Sequence, residues 1–439
     1  MVDTDRCYGA PFPMPAEPRS STRLLYLYFS LLALLVNVTS PQWVLDIPTS
    51  YMLKDLLHAT ASEVSWFRLI TGIPLYAGFV FGLVRDSWNP FGWRDSGYFR
   101  IFVPLTMIAL AGGAFSRTTY MGLVLGMLFA TISYSFIAAA FQGLLALIGQ
   151  EALMPGRLST LSNVFIAAAG VLGYFASGWM STQLSPRQVF LFVMALTAML
   201  GVFGFWKPRP IFSHAYENPH AKGSSFFGDV KRLIKHRAIY PVILITLLWF
   251  FTPGVNTPLQ YYFANQLHAP DAVYAHFSAV LYAGFLPTTL LYGFLCTRFP
   301  PRKLLWWSMI IGVPEFIPMA FIHDGNQALL AAAVIGLLGG LGNAAVVDIA
   351  IRACPPGLQG TLMMIVMSLY PLSSRVGDVF GSWLFGLSPT HGFQYCVLAI
   401  TITYALVLPL IPLLPKQMIA AKDGEPNPEE DALVLAEIG

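Results

Sequence analysis

The chain has 439 residues, of which 56% are hydrophobic and only 11% charged. A soluble domain carries about a quarter charged residues, so this composition excludes an ordinary soluble fold. The net charge of +3 is small, and the four cysteines (Cys7, Cys296, Cys354, Cys396) show neither a CxxC nor a Cys/His metal spacing. No cofactor, metal or nucleic-acid partner is expected from such a pattern.

The first 23 residues are polar and Pro-rich and read as a tail without a cleavable signal. Apolar runs long enough to cross the ~30 Å hydrocarbon layer then follow. Spans are predicted over 24–52, with Pro41 and Pro48 bending the first, then 63–84, 99–115, 119–150, 159–181 and 187–206. A basic stretch, 207–238, separates these from spans over 239–263, 272–296, 303–322, 327–353, 360–386 and 393–414. A short tail, 415–439, closes the chain. No strand-like alternation competes, and only helices or closed barrels satisfy their backbone in lipid. The expected fold class is an all-α membrane protein of twelve transmembrane helices in two six-helix bundles.

Lys and Arg fall in every second connector. With the amino end cytoplasmic, 20 lie on inner segments and 3 (Lys54, Arg117, Arg187) on outer loops. The positive-inside rule then places both termini in the cytoplasm and requires an even number of spans. The basic stretch carries Lys207, Arg209, Lys222, Lys231, Arg232, Lys235 and Arg237, and reads either as a linker touching anionic headgroups or as a regulatory segment. Asn37-Val38-Thr39 matches a glycosylation sequon but lies inside the first span, where it is not used.

A weak repeat links the halves. Pro155-Gly156-Arg157-Leu158-Ser159-Thr160-Leu161 leads into the fifth span, and Pro356-Gly357-Leu358-Gln359-Gly360-Thr361-Leu362 into the eleventh. Halves related by an axis along the membrane normal characterise the major facilitator architecture.

The turn after the second span reads Gly82-Leu83-Val84-Arg85-Asp86, then Pro90-Phe91-Gly92-Trp93-Arg94. This Gly-x-x-x-Asp turn with its basic residues resembles the signature loop of the major facilitator superfamily. Gly82 permits close helix approach, Asp86 suits a helix N-terminus, and Arg94 can pair with Asp86 or a helix C-terminus. The resemblance implies a gating role for Gly82, Asp86 and Arg94. With Tyr51-Met52-Leu53-Lys54-Asp55 before the second span, Asp348-Ile349-Ala350-Ile351-Arg352 late in the tenth and Gly360-Thr361-Leu362 opening the eleventh, the wording is similar to the folate–biopterin transporter family. Two departures stand out. The fourth span has no interior acid, Gln142 being its most polar group, and the second-half copy of the loop, Gly293 to Arg298, has Thr297 where an acid would fall.

A charge at mid-membrane costs about 2.5–3.5 kcal/mol on insertion scales, so each needs a reason. Arg375 and Asp378, at i and i+3, share a face and can pair, either as a static lock or as a site in which Arg375 meets a substrate carboxylate. On the second reading, Asp348 or Asp378 releases Arg375 on protonation. Arg68 can face Asp46 as a substrate contact or outer-gate pair, or can snorkel. Glu315 reads as a structural polar contact. Gln142, Asn256 and Gln260 complete the candidate substrate set, because the resemblance implies that the first, fourth and seventh spans surround the cavity. Thr252-Pro253-Gly254 should break the seventh span, placing Trp249, Phe250, Phe251, Tyr261 and Tyr262 either against a flat substrate ring or against lipid.

The expected function is a secondary transporter working by alternating access on a small organic anion, folate- or pterin-like or another carboxylate, with protons as coupling ion. It is expected to act as a monomer in the plasma (inner) membrane. An exporter of amphipathic compounds has the same pattern. A polytopic membrane enzyme would need clustered carboxylates or histidines beside a large catalytic loop, and the long connector holds only Glu217 and Asp229 as acids. A transporter-derived receptor would bind without flux.

Overall fold

The computed structural model describes residues 19–116, 118–206, 208, 226–269, 272–388 and 390–425. Arg6, Cys7, Arg117, the first part of the basic stretch and residues 426–439 lie outside the described residues, as do the expectations placed on them. Among the described residues every regular element is a helix. Eight helices are long and apolar enough to cross a membrane. Two shorter apolar helices, Thr22–Val38 and Ile239–Phe250, and two further long helices, Pro155–Gln183 and Gln359–Gly386, fall in the remaining predicted spans.

Local sequence sets the ends. Thr60 and Glu63 form a reciprocal capping box that starts the Ala61–Tyr76 helix, and Ser185 with Gln188 does the same for Pro186–Leu200. Asp324 caps Gly325–Ala353 through the Gln327 amide at 2.8 Å. Pro155 and Pro301 open their helices at the first turn, where a missing N–H costs nothing.

Several predicted spans are broken rather than continuous. The first ends at Val38, restarts as Pro41–Val44 and Asp46–Tyr51, and finishes in a wide π-turn segment, Met52–Leu56. The seventh breaks at the expected Thr-Pro-Gly run, where Gly254 has φ 104° and a Cβ would lie 2.6 Å from Cys396 Cβ. It resumes as Thr257–Tyr261 and ends in a second π-turn segment, Tyr262–Gln266.

The two π-turn segments are one device used twice. In each, a Leu amide reaches back to the first segment residue (Leu57 to Met52, 3.2 Å; Leu267 to Tyr262, 3.1 Å), and an Ala amide bonds the second (Ala59 to Leu53 and Ala269 to Phe263, both 2.9 Å). His58 and His268 sit between them in the left-handed region, at φ 50° and 48°. Both copies read Leu-His-Ala, a repeat that the weak 155/356 similarity does not cover.

The connector also carries structure. Phe226–Lys235 is a strongly amphipathic helix.

The halves meet where small residues allow it. A Cβ at Gly82 would lie 2.5 Å from the Gly360 carbonyl oxygen and 2.7 Å from Thr361 Cα, so glycine is required at that crossing. Cross-half contacts of this kind gather at one end of the molecule, the end bearing Arg85, Arg157, Arg352 and the chain's last described residues, called here the basic end.

Candidate functional site

At the basic end the Asp86 carboxylate accepts bonds from the Gly360 amide (3.1 Å), the Thr361 amide (2.6 Å) and the Thr361 hydroxyl (2.6 Å). It thus caps the first turn of Gln359–Gly386 from the other half of the chain, where orphan amides and the helix dipole favour an anion. The guanidinium that bonds Asp86 is that of Arg85 (2.8 Å), which also holds Asp95 at two points, both 2.7 Å. Gly143 makes room for it: a Cβ there would lie 2.5 Å from the Arg85 guanidinium carbon. Arg94 shapes the turn through its backbone, with φ 48° and its amide on Asn89 Oδ1 at 2.7 Å. Arg85 and Asp95 were not among the sequence candidates, although the signal was present: a cation adjacent to Asp86 in the same motif.

A second polar cluster spans the halves at the same end. Asp348 is fully buried and bonds Arg352 (2.7 Å) and the Tyr292 hydroxyl (2.7 Å). Arg352 extends to Asp423 (2.6 Å), and Asp423 accepts from the Gly156 amide (3.2 Å) and the Arg157 amide (2.9 Å) at the start of Pro155–Gln183. Burial and the neighbouring Asp348 push the Asp423 carboxyl above the usual carboxylate range, against the pull of Arg352 and the two amides. Gln150 adds bonds to the Ile351 and Cys354 carbonyls at 2.9 and 2.8 Å. Asp348 therefore faces Arg352 and Tyr292 rather than Arg375, which corrects the expectation that it releases Arg375. The expected Arg375–Asp378 pair is also replaced. Asp378 accepts the Thr257 amide and hydroxyl, both at 2.8 Å, and so caps the helix that restarts after the Thr-Pro-Gly break.

The remaining candidates divide between this break and the far end. Arg375 is exposed, and among the described residues it makes no ion pair or hydrogen bond. It lies about two turns beyond Ser368 on the same face, the face on which a Cβ at Gly78 of the first half would meet the Ser368 hydroxyl. Arg375 thus faces the first half at a level beyond this close packing. Asn256 bonds Ser374 at 3.2 Å, and Gln260 is exposed on the helix that restarts after the break. Arg68 bridges Asp46 at two points, 3.0 and 3.1 Å, and adds Ser50 at 3.1 Å, with side chains 45% and 35% exposed. Gln142 is buried next to Gly143, at the level of Arg85 rather than in an open cavity. Trp249 is neither lipid-facing nor free to stack on a ligand; it is buried, stacks on Tyr404 (4.5 Å) and donates to Asn343 at 2.8 Å. Tyr262 likewise stacks on Phe393 at 4.1 Å. Glu315 is buried, and its Oε2 meets no partner among the described residues.

The chemistry is that of a helical carrier: two salt-bridged seals between halves at one end, and exposed cationic groups facing away from that packing. The BT1 family model matches residues 42–432. The chain belongs to the BT1 family. Among curated relatives it is 26% identical over 418 residues to the "Folate-biopterin transporter" of Synechocystis sp., covering 88% of this chain and 82% of that one. It is 22% identical to "Probable folate-biopterin transporter 2" of Arabidopsis thaliana, covering 78% and 71%. The fold matches the crystal structure of a Major Facilitator Superfamily transporter, FucP, in the outward conformation, with TM-score 0.68, 12% identity and 90% and 99% of the two chains covered. The protein is accordingly a multi-pass membrane transporter of the major facilitator fold, not an enzyme, and it takes a small-molecule substrate.

Proposed function

We propose that the protein is a secondary active transporter that carries a small organic anion, folate- or pterin-like or another carboxylate, by alternating access coupled to protons, as a monomer in the plasma membrane with both termini in the cytoplasm. The observation that carries this reading is Arg375: an exposed guanidinium in a membrane helix, without an ion pair among the described residues, on the helix face that also carries Ser368. An uncompensated cation at that depth is costly, and a forked donor for a carboxylate accounts for it.

Arg68 and Asp46 form the second polar group of the site, with Asn256 and Gln260 along the broken seventh span. Asp378, three residues from Arg375, is the coupling carboxylate. Gly82, Asp86 and Arg94 belong to the cytoplasmic gate, to which Arg85, Asp95 and the Asp348–Arg352 pair are added. The names of the curated relatives support the choice of folates and pterins as first substrates to try.

The test is flux. Purified protein in liposomes, given an acidic exterior, should accumulate labelled folate or biopterin, and a protonophore should abolish the accumulation. No accumulation of folate, biopterin or any simple carboxylate in either direction would overturn the proposal.

A further inference from the structure

The second-half copy of the gate loop has Thr297 where the first half has Asp86. The two crossings are otherwise alike. Gly82 packs on the start of Gln359–Gly386, and Gly293 packs on Thr160, near the start of Pro155–Gln183. An anion over the two opening amides is present in the first crossing as Asp86. In the second crossing a carboxylate also sits over two opening amides, but it arrives from elsewhere: it is Asp423, carried by the segment after the last helix.

The tail that carries it is fixed on both sides. Lys416–Ala420 buries Ile419, and Arg352 of the second half bonds the Ala421 carbonyl at 2.9 Å and the Asp423 carboxylate at 2.6 Å. The Asp423 amide donates to the Cys296 carbonyl at 3.1 Å, and Cys296 Sγ stands 3.6 Å from Asp423 Oδ2. Across the divide, Asp423 takes the Gly156 and Arg157 amides, and the Gly424 amide donates to the Leu153 carbonyl at 2.7 Å. The anchors on the second half are a helix and a buried side chain. Among the described residues, Asp423 and Gly424 carry the segment's bonds to the first half given above.

We propose that the segment Ala421–Gly424 is a detachable latch of the basic end, in which Asp423 stands in for the acid missing from the second gate loop and must leave the Gly156–Arg157 amides each time that end opens. This rests on the alternating-access reading. Asp423 is a positioning residue: it touches no substrate and acts through the relative placement of the halves. The exposed Lys422–Glu425 pair (2.9 Å) lies on the solvent side of the latch and needs no change when it opens.

The experiment reads the distance between spin labels at Phe91→Cys and Arg298→Cys, exposed positions of the two halves at the basic end, in a Cys7→Ser background. No substrate is required. Asp423→Asn, and separately a stop codon in place of Lys422, should increase the longer-distance population several-fold, whereas Asp423→Glu should restore most of the short one. A disulfide between Leu153→Cys and Gly424→Cys should remove the long population, and reductant should return it. Asp86→Asn is the control. If Asp86→Asn shifts the distribution and neither Asp423→Asn nor the truncation does, the latch is refuted and the gate reading stands. If Asp86→Asn is silent too, both fall. A Leu153–Gly424 disulfide that leaves the long population intact also overturns the latch, and this variant keeps the tail in place should the truncation not fold.

Discussion

The Asp86 carboxylate of the first half and the Thr361 amide of the second meet at 2.6 Å, and the Thr361 hydroxyl joins the same oxygen. One side chain thereby satisfies the opening turn of a helix 274 and 275 residues later in the chain, counted to the two amides it accepts. Asp86→Ala leaves the Gly360 and Thr361 amides without their acceptor in the sealed state alone. An unsatisfied buried group costs about 1–3 kcal/mol, enough to shift a two-state equilibrium by about one to two orders of magnitude. The expected outcome is a molecule with its basic end open and folate uptake strongly reduced, read by labelling of an engineered cysteine at that end. Unchanged labelling would remove Asp86 from the gate.

Gly82→Ala tests the same crossing by volume instead of charge. The added Cβ meets backbone at 2.5 and 2.7 Å, so no side-chain rotation can relieve it. Overpacking of this kind costs about 1–3 kcal/mol. Because the clash exists only when the halves are together, the folded protein should keep its thermal stability in a form open at the basic end while its uptake falls. Serine at Gly82 should behave like alanine. Normal uptake by either variant would show that the close approach is dispensable.

Arg68 and Asp46 are bound at two points but substantially exposed, and exposed pairs contribute about 0–1 kcal/mol to stability. Asp46→Asn and Arg68→Ala should therefore leave the melting temperature nearly unchanged. If the pair belongs to the substrate path, Arg68→Ala raises KM for the transported anion, while Asp46→Asn, which frees the guanidinium, does so less. Equal losses in both variants would mark the pair as an outer-gate strut. The measurement is concentration-dependent uptake with a thermal melt on the same samples.

The architecture was legible because it depends on quantities summed over many residues. Apolar length sets where helices cross. The Thr-Pro-Gly break was legible because Pro253 removes a donor wherever it sits. Partner choice was legible only in part: Arg68 does meet Asp46 and Asp86 does cap a helix N-terminus, but the partners of Asp348 and Asp378 differ from those expected. Asp348 has Arg352 one turn away on its own helix, a local pairing that an i, i+4 reading finds, yet Arg375 drew attention because it is the costlier charge. Arg85 beside Asp86 was counted as part of a basic turn, although the same turn of helix holds both. Asp423 gave no signal at all, since one acid among several in a short tail acquires its meaning only from the Gly156 and Arg157 amides that folding brings to it. The twin π-turn segments left a faint trace, Leu-His-Ala at residues 57–59 and again at 267–269, hidden because both copies lie at span ends where helix and loop signals mix.

Arg375 provides the decisive substitution. Its guanidinium is exposed and has no ion pair to lose among the described residues, so Arg375→Ala removes a charge without orphaning a partner. Stability should hold or rise slightly. Binding should not: a charge-assisted bond to a carboxylate is worth about 1.5–3 kcal/mol, which predicts a loss of affinity of roughly 10- to 150-fold for folate. Arg375→Lys separates charge from geometry. It keeps the cation but loses the planar fork, so it should recover only part of the affinity. Ligand-induced thermal shift with folate reads both variants without any need for flux. If Arg375→Ala melts early and binds normally, Arg375 supports the helix and the anion site lies elsewhere. If it melts normally and binds nothing, the guanidinium holds the substrate.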